Sequence, residues 1–513
     1  MADAWQTYPV EFRGGLITNL SPLQQGVNFP GTAQRLRNFE PSTDGGYRRI
    51  QGFSKWDATQ VGGSAGRIRG VTRFNGYAYA AKGSHLYRSD GSGAWTQVTD
   101  NAAFSSSGVT LAGTGKVRFA VHSFSGSPIL IVVDGVSKPF KLSGSTFSLI
   151  TTATSDQQGA TQVVAHRAHL FFAKGGLVTY AAPLSDSDFS AANGAGVLKT
   201  MTDNVTGLFF FREQLIIFAE GSIFSVTGST DADWQVQPIT RDIGAIKEDT
   251  IQEVGGDLMF LGPDGLRLLS ATERNNDFGL GVVSKSIQSE VTSFINAVDG
   301  FSSVVIRNKS QYRILGFSSI NNASGRGLIC TQFAMQGGQE MAWAETQGIN
   351  CFCSSSDLDD GEEFIYFGND DGYVYRMENG NDFDGANIVA TFKTPPFPIT
   401  DPVTRKTFYK MRLFTDPLGS LEVSISPEYD FGQDEIIQPP EITVANTTES
   451  TVAIYGVGEF GVAAYGGANL KYIFDLNLIG SAFVGAYTFT SDGTDPPFSF
   501  DSMIIQYGQY GRR

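Results

Sequence analysis

One phrase recurs along this chain. In FIYFGNDDGYVYRMENG, Phe364 to Gly380, two runs rich in aromatic and β-branched residues flank Gly368, Asn369, Asp370, Asp371 and Gly372. Such runs around a glycine-containing turn predict a β-hairpin. The same wording returns in GYAYAAKGSHLY from Gly76, ILIVVDGVSKPFKL from Ile129, HLFFAKGGLVTY from His169, QLIIFAEGSIFSV from Gln214 and DLMFLGPDGLRLL from Asp257. A longer version spans Gln311 to Phe333, with its turn at Asn321 to Gly327. Turn centres recur roughly every 40 to 60 residues, the period of four-stranded propeller blades. Helical periodicity is nearly absent, which excludes a solenoid of helix pairs. The expected class is therefore all-β: a β-propeller of six blades, with seven as the alternative.

Sixty glycines, 39 Phe and 18 Tyr beside only 17% charged residues suit many short strands and tight turns. One stretch departs from this. In Ser284 to Val298, Ile287, Val291, Phe294, Ile295 and Val298 fall on one helical stripe, with Ser284 placed as N-cap and Asp299-Gly300 as a stop. This predicts one short helical insertion packed beside a blade, its apolar stripe being core.

The cluster Thr394-Pro395-Pro396-Phe397-Pro398 breaks strands and marks a boundary. Beyond it, strands are expected at Phe408 to Thr415, Ser420 to Ile425, Ile442 to Val444, Tyr472 to Leu478 and Phe483 to Thr490. The Gly-rich GVGEFGVAAYGG from Gly456 reads as an exposed loop, and the tail IIQYGQYGRR as a flexible, basic end. The expected division is an N-terminal docking segment with the first propeller strand at 1–60, a propeller with its helical insertion at 61–395, and an antiparallel sandwich-like domain at 396–513.

The formal net charge is −15, which argues against a surface that grips nucleic acid broadly. It leaves room for transient, low-friction contact with a polyanion. The charge is uneven. Met1 to Tyr79 carries nine Arg/Lys against five Asp/Glu, whereas Asp357 to Asp384 carries ten Asp/Glu against Arg376 alone. The acidic run reads as solvated turns or, more sharply, as an interface-forming rim that docks on the basic region of a neighbour, with Arg48 and Arg49 as its test positions. Cys330, Cys351 and Cys353 are too few and too clustered for a disulfide framework, and fit reduced thiols from a reducing cytoplasm. The first residues, MADAWQTYPV, lack the basic patch and apolar core of a signal peptide, and no apolar run approaches the ~18 residues that span a bilayer.

Catalytic signatures are missing. There is no HExxH and no G-x-S-x-G. Gly115-Lys116 lacks the upstream glycine of a phosphate loop, and Gly279-Leu280-Gly281 lacks the strand before a dinucleotide fingerprint. His166 and His169, three apart along one strand, should point to opposite faces, so neither they nor His85 and His122 suggest a metal site. Asp357-Leu358-Asp359-Asp360-Gly361 lacks the full ligand set of a calcium loop, and Ser89-Asp90-Gly91 has the wrong spacing for a sialidase Asp-box. No catalytic, cofactor-binding or metal residues and no cofactor are therefore expected, and the chain reads as a non-enzyme.

Several phrases together resemble one family. RNFEPSTDGGYRRIQGF (Arg37 to Phe53), TGLFFFREQLIIFAEGSIFSVTGSTDADWQVQPITRDIGA (Thr206 to Ala245), FLGPDGLRLLS (Phe260 to Ser270) and the hairpin at Phe364 are similar to segments of the tail nozzle proteins of short-tailed bacteriophages, also called tail tubular B or packaged-DNA stabilisation proteins. The resemblance covers the chain from about residue 10 to 400. It implies a structural part of the virion tail, assembled in the bacterial host cytoplasm: a hexameric ring below portal and adaptor proteins, in contact with needle, fibre or spike proteins. Such a ring retains packaged DNA and lets double-stranded DNA pass at ejection, with no membrane span. The alternative from the residues is a carbohydrate-binding or glycoside-cleaving propeller of a virion, since paired carboxylates cannot be matched from sequence.

Overall fold

The computed structural model describes residues 5–228, 230, 232–270, 281–319, 325–335, 338–433, 436–446 and 472–509. It is a β-propeller with an additional sheet domain at the C-terminal end of the chain. Six four-stranded blades surround the axis, beginning at strands Ile68–Phe74, Arg118–His122, Gln162–His166, Val205–Phe211, Gly300–Ile306 and Cys353–Asp359. A three-stranded sheet (Gln252–Val254, Asp257–Gly262, Gly265–Leu268) sits between the fourth and fifth of these. Each repeated phrase is a hairpin within a blade or within this smaller sheet; the turn expected at Asn321 to Gly327 lies mostly outside the described residues.

Period-2 alternation explains why the second strands are apolar on both faces. In Ile129–Val133, Leu130 and Val132 pack toward the first blade, while Ile129, Ile131 and Val133 pack toward the third. The next blade repeats this: Leu170 and Phe172 face back, Phe171 and Ala173 face forward. A strand covered on both faces reads as a continuous hydrophobic run.

In the first, third, fourth and sixth blades the turn between first and second strands has two residues in left-handed backbone. Asn75-Gly76 is the favoured Asn-Gly pair (φ 49° and 79°). Blades three and four use Arg167-Ala168 (43° and 64°) and Arg212-Glu213 (47° and 63°) instead. Their guanidiniums reach the next sheet's turn: Arg167 donates to the Glu213 carbonyl at 3.1 Å, and Arg212 to the Gly256 carbonyl at 2.6 Å.

The helix forms where its stripe placed it, as a 3-10 turn Lys285–Ile287 followed by Gln288–Ala297. Ile287, Val291 and Phe294 are buried, and Ile295 and Val298 pack against the same core. Ser284 does not cap it. Its hydroxyl accepts the Leu266 backbone N–H at 3.0 Å instead, because Gly265–Leu268 runs alongside.

The sheet domain recruits strands from both chain ends. One sheet combines Gln6–Glu11, Phe39–Pro41 and Tyr47–Arg49 with Lys406–Pro417, Tyr472–Asn477, Ser481–Ala482 and Phe498–Gln509. The facing sheet is continuous with the fifth blade. Arg35–Arg37 lies between the blade strand Gly338–Gln347 and Ile388–Lys393, so nine strands run on through Gly485–Gly493, Leu421–Tyr429 and Ile442–Asn446. Between the sheets, Phe392 packs on Phe12 and Tyr47 with ring centroids 4.9 Å from each, and on Phe489 at 5.3 Å. The Tyr47 hydroxyl donates toward the Gly31 and Arg13 carbonyls and accepts the Gly15 N–H. The tail differs from its expected flexibility. Met503, Ile505 and Tyr507 alternate into the core, making Phe498–Gln509 a strand paired on both sides. The Gly-rich stretch from Gly456 and the last four residues lie outside the described residues.

Two outcomes follow. Phe392→Ala should cost about 3–5 kcal/mol, the range for an emptied aromatic core site, measured by urea unfolding. Ala168→Gly, against the usual sign for glycine, should add about 1 kcal/mol, because it relieves left-handed strain.

Candidate functional site: the propeller axis

The first strands of all seven sheets line an axial chamber of about 440 Å³. Across it stands a charged plug. Lys116 and Arg118 open the second blade two residues apart and so share a face. Arg118 donates to Asp249 at 2.7 and 2.8 Å, to Glu248 at 2.5 Å and to the Thr161 carbonyl at 3.0 Å. Lys116 reaches Asp249 at 2.9 Å and the Phe301 carbonyl at 2.6 Å. Asp249 is itself in left-handed backbone (φ 60°), and its carbonyl accepts the Ser303 hydroxyl at 2.8 Å. Burial alone would push the Asp249 carboxyl up, but Arg118 and Lys116 hold it well below the usual carboxylate range. The plug thus ties the second blade to the loop ahead of the three-stranded sheet and to the fifth blade.

A second charged cluster lies at the seam with the sheet domain. Glu40 accepts from Lys309 at 2.6 Å and from Arg313 at 2.7 Å, and Arg313 also pairs with Glu378 at 2.8 Å. Lys309 closes the square on Glu378. Glu40 and Arg313 are almost fully buried, so two opposed pairs of charges balance inside the protein.

The acidic run is largely spoken for within the chain. Lys55 pairs with Asp384 at 2.8 Å, Arg67 with Asp370 at 2.6 Å, Arg73 with Asp359 at 2.6 Å, and Arg307 with Glu363 at 2.9 Å. Lys55, Arg67 and Arg73 of the basic N-terminal region therefore meet the acidic run inside one molecule. Arg49 is no docking residue: it is 1% exposed, and its guanidinium donates to the Asp495 carbonyl at 2.5 Å and to those of Gly493 and Ile388.

His166 and His169 correct the single-strand reading. A two-residue turn makes them cross-strand partners, so they share one face. The His169 Nδ1 lies 2.7 Å from the Ala181 carbonyl, and burial, with Arg167 beside it, lowers His166 to about 4. His85 and His122 lie on the first and second blades, and no cluster of three metal-ligating side chains occurs among the described residues. Asp357 and Asp359 both serve Arg73, one through its backbone N–H and one through its guanidinium, and Asp360-Gly361 is the hairpin turn. Ser89 donates to Asp57 at 2.7 Å and Asp90 accepts the Ser92 N–H at 3.0 Å, a local turn. All three cysteines are buried free thiols, with Cys351 pushed up to about 12 by burial. Sequence reasoning missed the plug. Its signal was the alternating Lys116-Val117-Arg118 at the mouth of a strand, but nothing local names Asp249 as the partner.

Residues 40–277 match the family model described as Phage_stabilise, Bacteriophage P22 Gp10, beta-propeller. That stretch, somewhat under half of the chain, is similar to this family of phage structural propellers. No curated protein matches it. Among solved structures it is similar to the computationally designed Ika8 protein, at 11% identity and TM-score 0.36, over 63% of this chain and 99% of that one. It is similar to an ancestral GH74 enzyme at 12% identity and TM-score 0.40, over 66% of this chain, which spans 51% of that enzyme. The exo-beta-1,3-galactanase of Phanerochaete chrysosporium aligns at 10% identity and TM-score 0.26, over 89% of this chain and 100% of that one.

Arg118→Met leaves the buried Asp249 with Lys116 as its one remaining cation and strips Glu248 of its partner, and should cost about 3–5 kcal/mol; adding Asp249→Asn should recover part of the loss. The Asp249 carboxyl titrates lower folded than its unfolded value of about 3.9, so its ion pairs stabilise the fold fully above that pH and fade as pH falls toward the folded value. Asp249→Asn should flatten the stability curve below about pH 4, read by thermal unfolding at stepped pH.

Proposed function

We propose that this chain is a wall subunit of the tail nozzle of a short-tailed bacteriophage, copies of which form a ring that retains packaged DNA and conducts it at ejection. The observation that carries this reading is the match of residues 40–277 to a phage-stabilisation propeller. The axis adds a physical argument. A chamber of about 440 Å³ crossed by Arg118, Lys116 and Asp249 cannot admit a duplex, whose major groove alone is about 12 Å wide. A passage for DNA must then lie between copies, which calls for heterologous contacts that close by rotation, six copies being the expected number. A net charge of −15 keeps such a wall from gripping phosphate.

In this reading most of residues 61–395 form the propeller wall, 396–513 the sheet domain together with Ile388–Lys393, and 1–60 the segment that locks the two together. Adaptor and portal proteins dock above, needle, fibre or spike proteins dock beside or below, and assembly takes place in the host cytoplasm. The residues at the axis are structural rather than catalytic: Asp249 and Glu248 are bound by Arg118, and Asp357 accepts the Arg73 N–H at 2.9 Å. Class averages and native mass of the purified protein should show a symmetric ring of six subunit masses. A lone monomer that releases sugar from host polysaccharide would replace this reading with the glycoside-cleaving one.

A further inference from the structure

The solvent side of the nine-stranded sheet, where it runs through the sheet domain, carries two central rows of hydroxyls, with Val389, Glu422 and Asp492 around them. Strand alternation sends Ile388, Ala390 and Phe392 into the core and Thr391 and Lys393 outward. Thr391 stands opposite Thr490, Thr490 opposite Ser424, and Ser424 opposite Thr443, so four hydroxyls form one row across four strands. Thr488 and Ser426 form a second row beside it. Directly opposed residues lie on the same face, and at about 4.8 Å per strand the first row is about 14 Å wide. Ser426 bonds Glu441 at 3.0 Å; the other five hydroxyls make no hydrogen bond within the described residues.

The cations around these rows are paired, while Glu422 and Asp492 beside them make no ion pair among the described residues, so the surroundings are acidic. Lys393 is held by Glu428 at 2.6 Å, and Arg37 lies 3.5 Å from Glu345. No aromatic side chain stands on this face among the described residues of the four strands.

We propose that this hydroxyl face is the wall along which duplex DNA passes in the assembled ring, an assignment that rests on the nozzle reading above. Serine and threonine hydroxyls donate hydrogen bonds to phosphate oxygens, yet they release no condensed counterions, so they add nothing to the salt-dependent grip that lysine and arginine supply. A row of them is a surface a polyanion can touch and leave. A second copy of the chain fits this face poorly, because the buried centre of a protein interface is rich in aromatics and methionine.

The test compares two lysine pairs in purified rings, with a short duplex DNA as probe. Thr391→Lys with Thr490→Lys should steepen the slope of log affinity against log salt by about 1.8, two phosphate contacts at about 0.9 each. The control, Thr146→Lys with Ser148→Lys on the outermost strand of the second blade, should leave the slope unchanged. If rings form and the two pairs act alike, the wall assignment falls while the ring reading stands. If native mass shows no ring, the nozzle reading fails, and this assignment with it.

Discussion

Closure of sheet edges is the constraint on which this structure depends. An open edge presents unpaired backbone N–H and C=O groups that invite pairing with other chains. Here the first 55 residues close several of them. Phe53–Lys55 completes the last blade by pairing with Val374–Met377. Arg35–Arg37 fills the gap between the fifth blade and the sheet domain, turning two sheets into one. Gln6–Glu11 and Tyr47–Arg49 lie against Phe498–Gln509, so the two ends of the chain share a sheet. The propeller and the sheet domain are thus joined by a continuous hydrogen-bonded sheet rather than by a linker.

Charge reinforces the same seam. Glu40 comes from an N-terminal strand, Arg313 and Lys309 from the fifth blade, and Glu378 from just after the last hairpin. Removing any one member would leave a buried charge uncompensated. The plug at the axis works in the same way across a shorter span. Much of the acidity of Asp357 to Asp384 is spent on holding the fold, so it offers fewer free carboxylates to a neighbour than the sequence suggests. Contacts between copies must then be sought in shape and in the remaining surface.

The hairpins were legible because their information is local. Alternating apolar runs around Gly-Asn-Asp-Asp-Gly or Lys-Gly-Gly fix turn and strand within a dozen residues. The helix at Gln288–Ala297 was legible for the same reason, although its cap was not, since Ser284 is claimed by a strand nearly twenty residues away. The strand Phe498–Gln509 was missed because its apolar alternation is interrupted by glycine and glutamine, and its second half read with Arg512 and Arg513 as a flexible, basic end. His166 and His169 were separated on paper and brought together by a turn built from arginine and alanine, which carry no turn signature.

The sequence by itself determined a chain of short two-faced strands, built as repeated hairpins, with none of the common catalytic signatures tested. Periodicity and turn chemistry act over a few residues and are written where they act. Only the tertiary structure decided which distant strands close which sheets, and which charges meet. Arg118 and Asp249 lie 131 residues apart, and Arg313 and Glu40 lie 273 apart. Such pairs are chosen by the geometry of sheets wound around an axis, and a strand's edge carries the same backbone groups whatever its sequence.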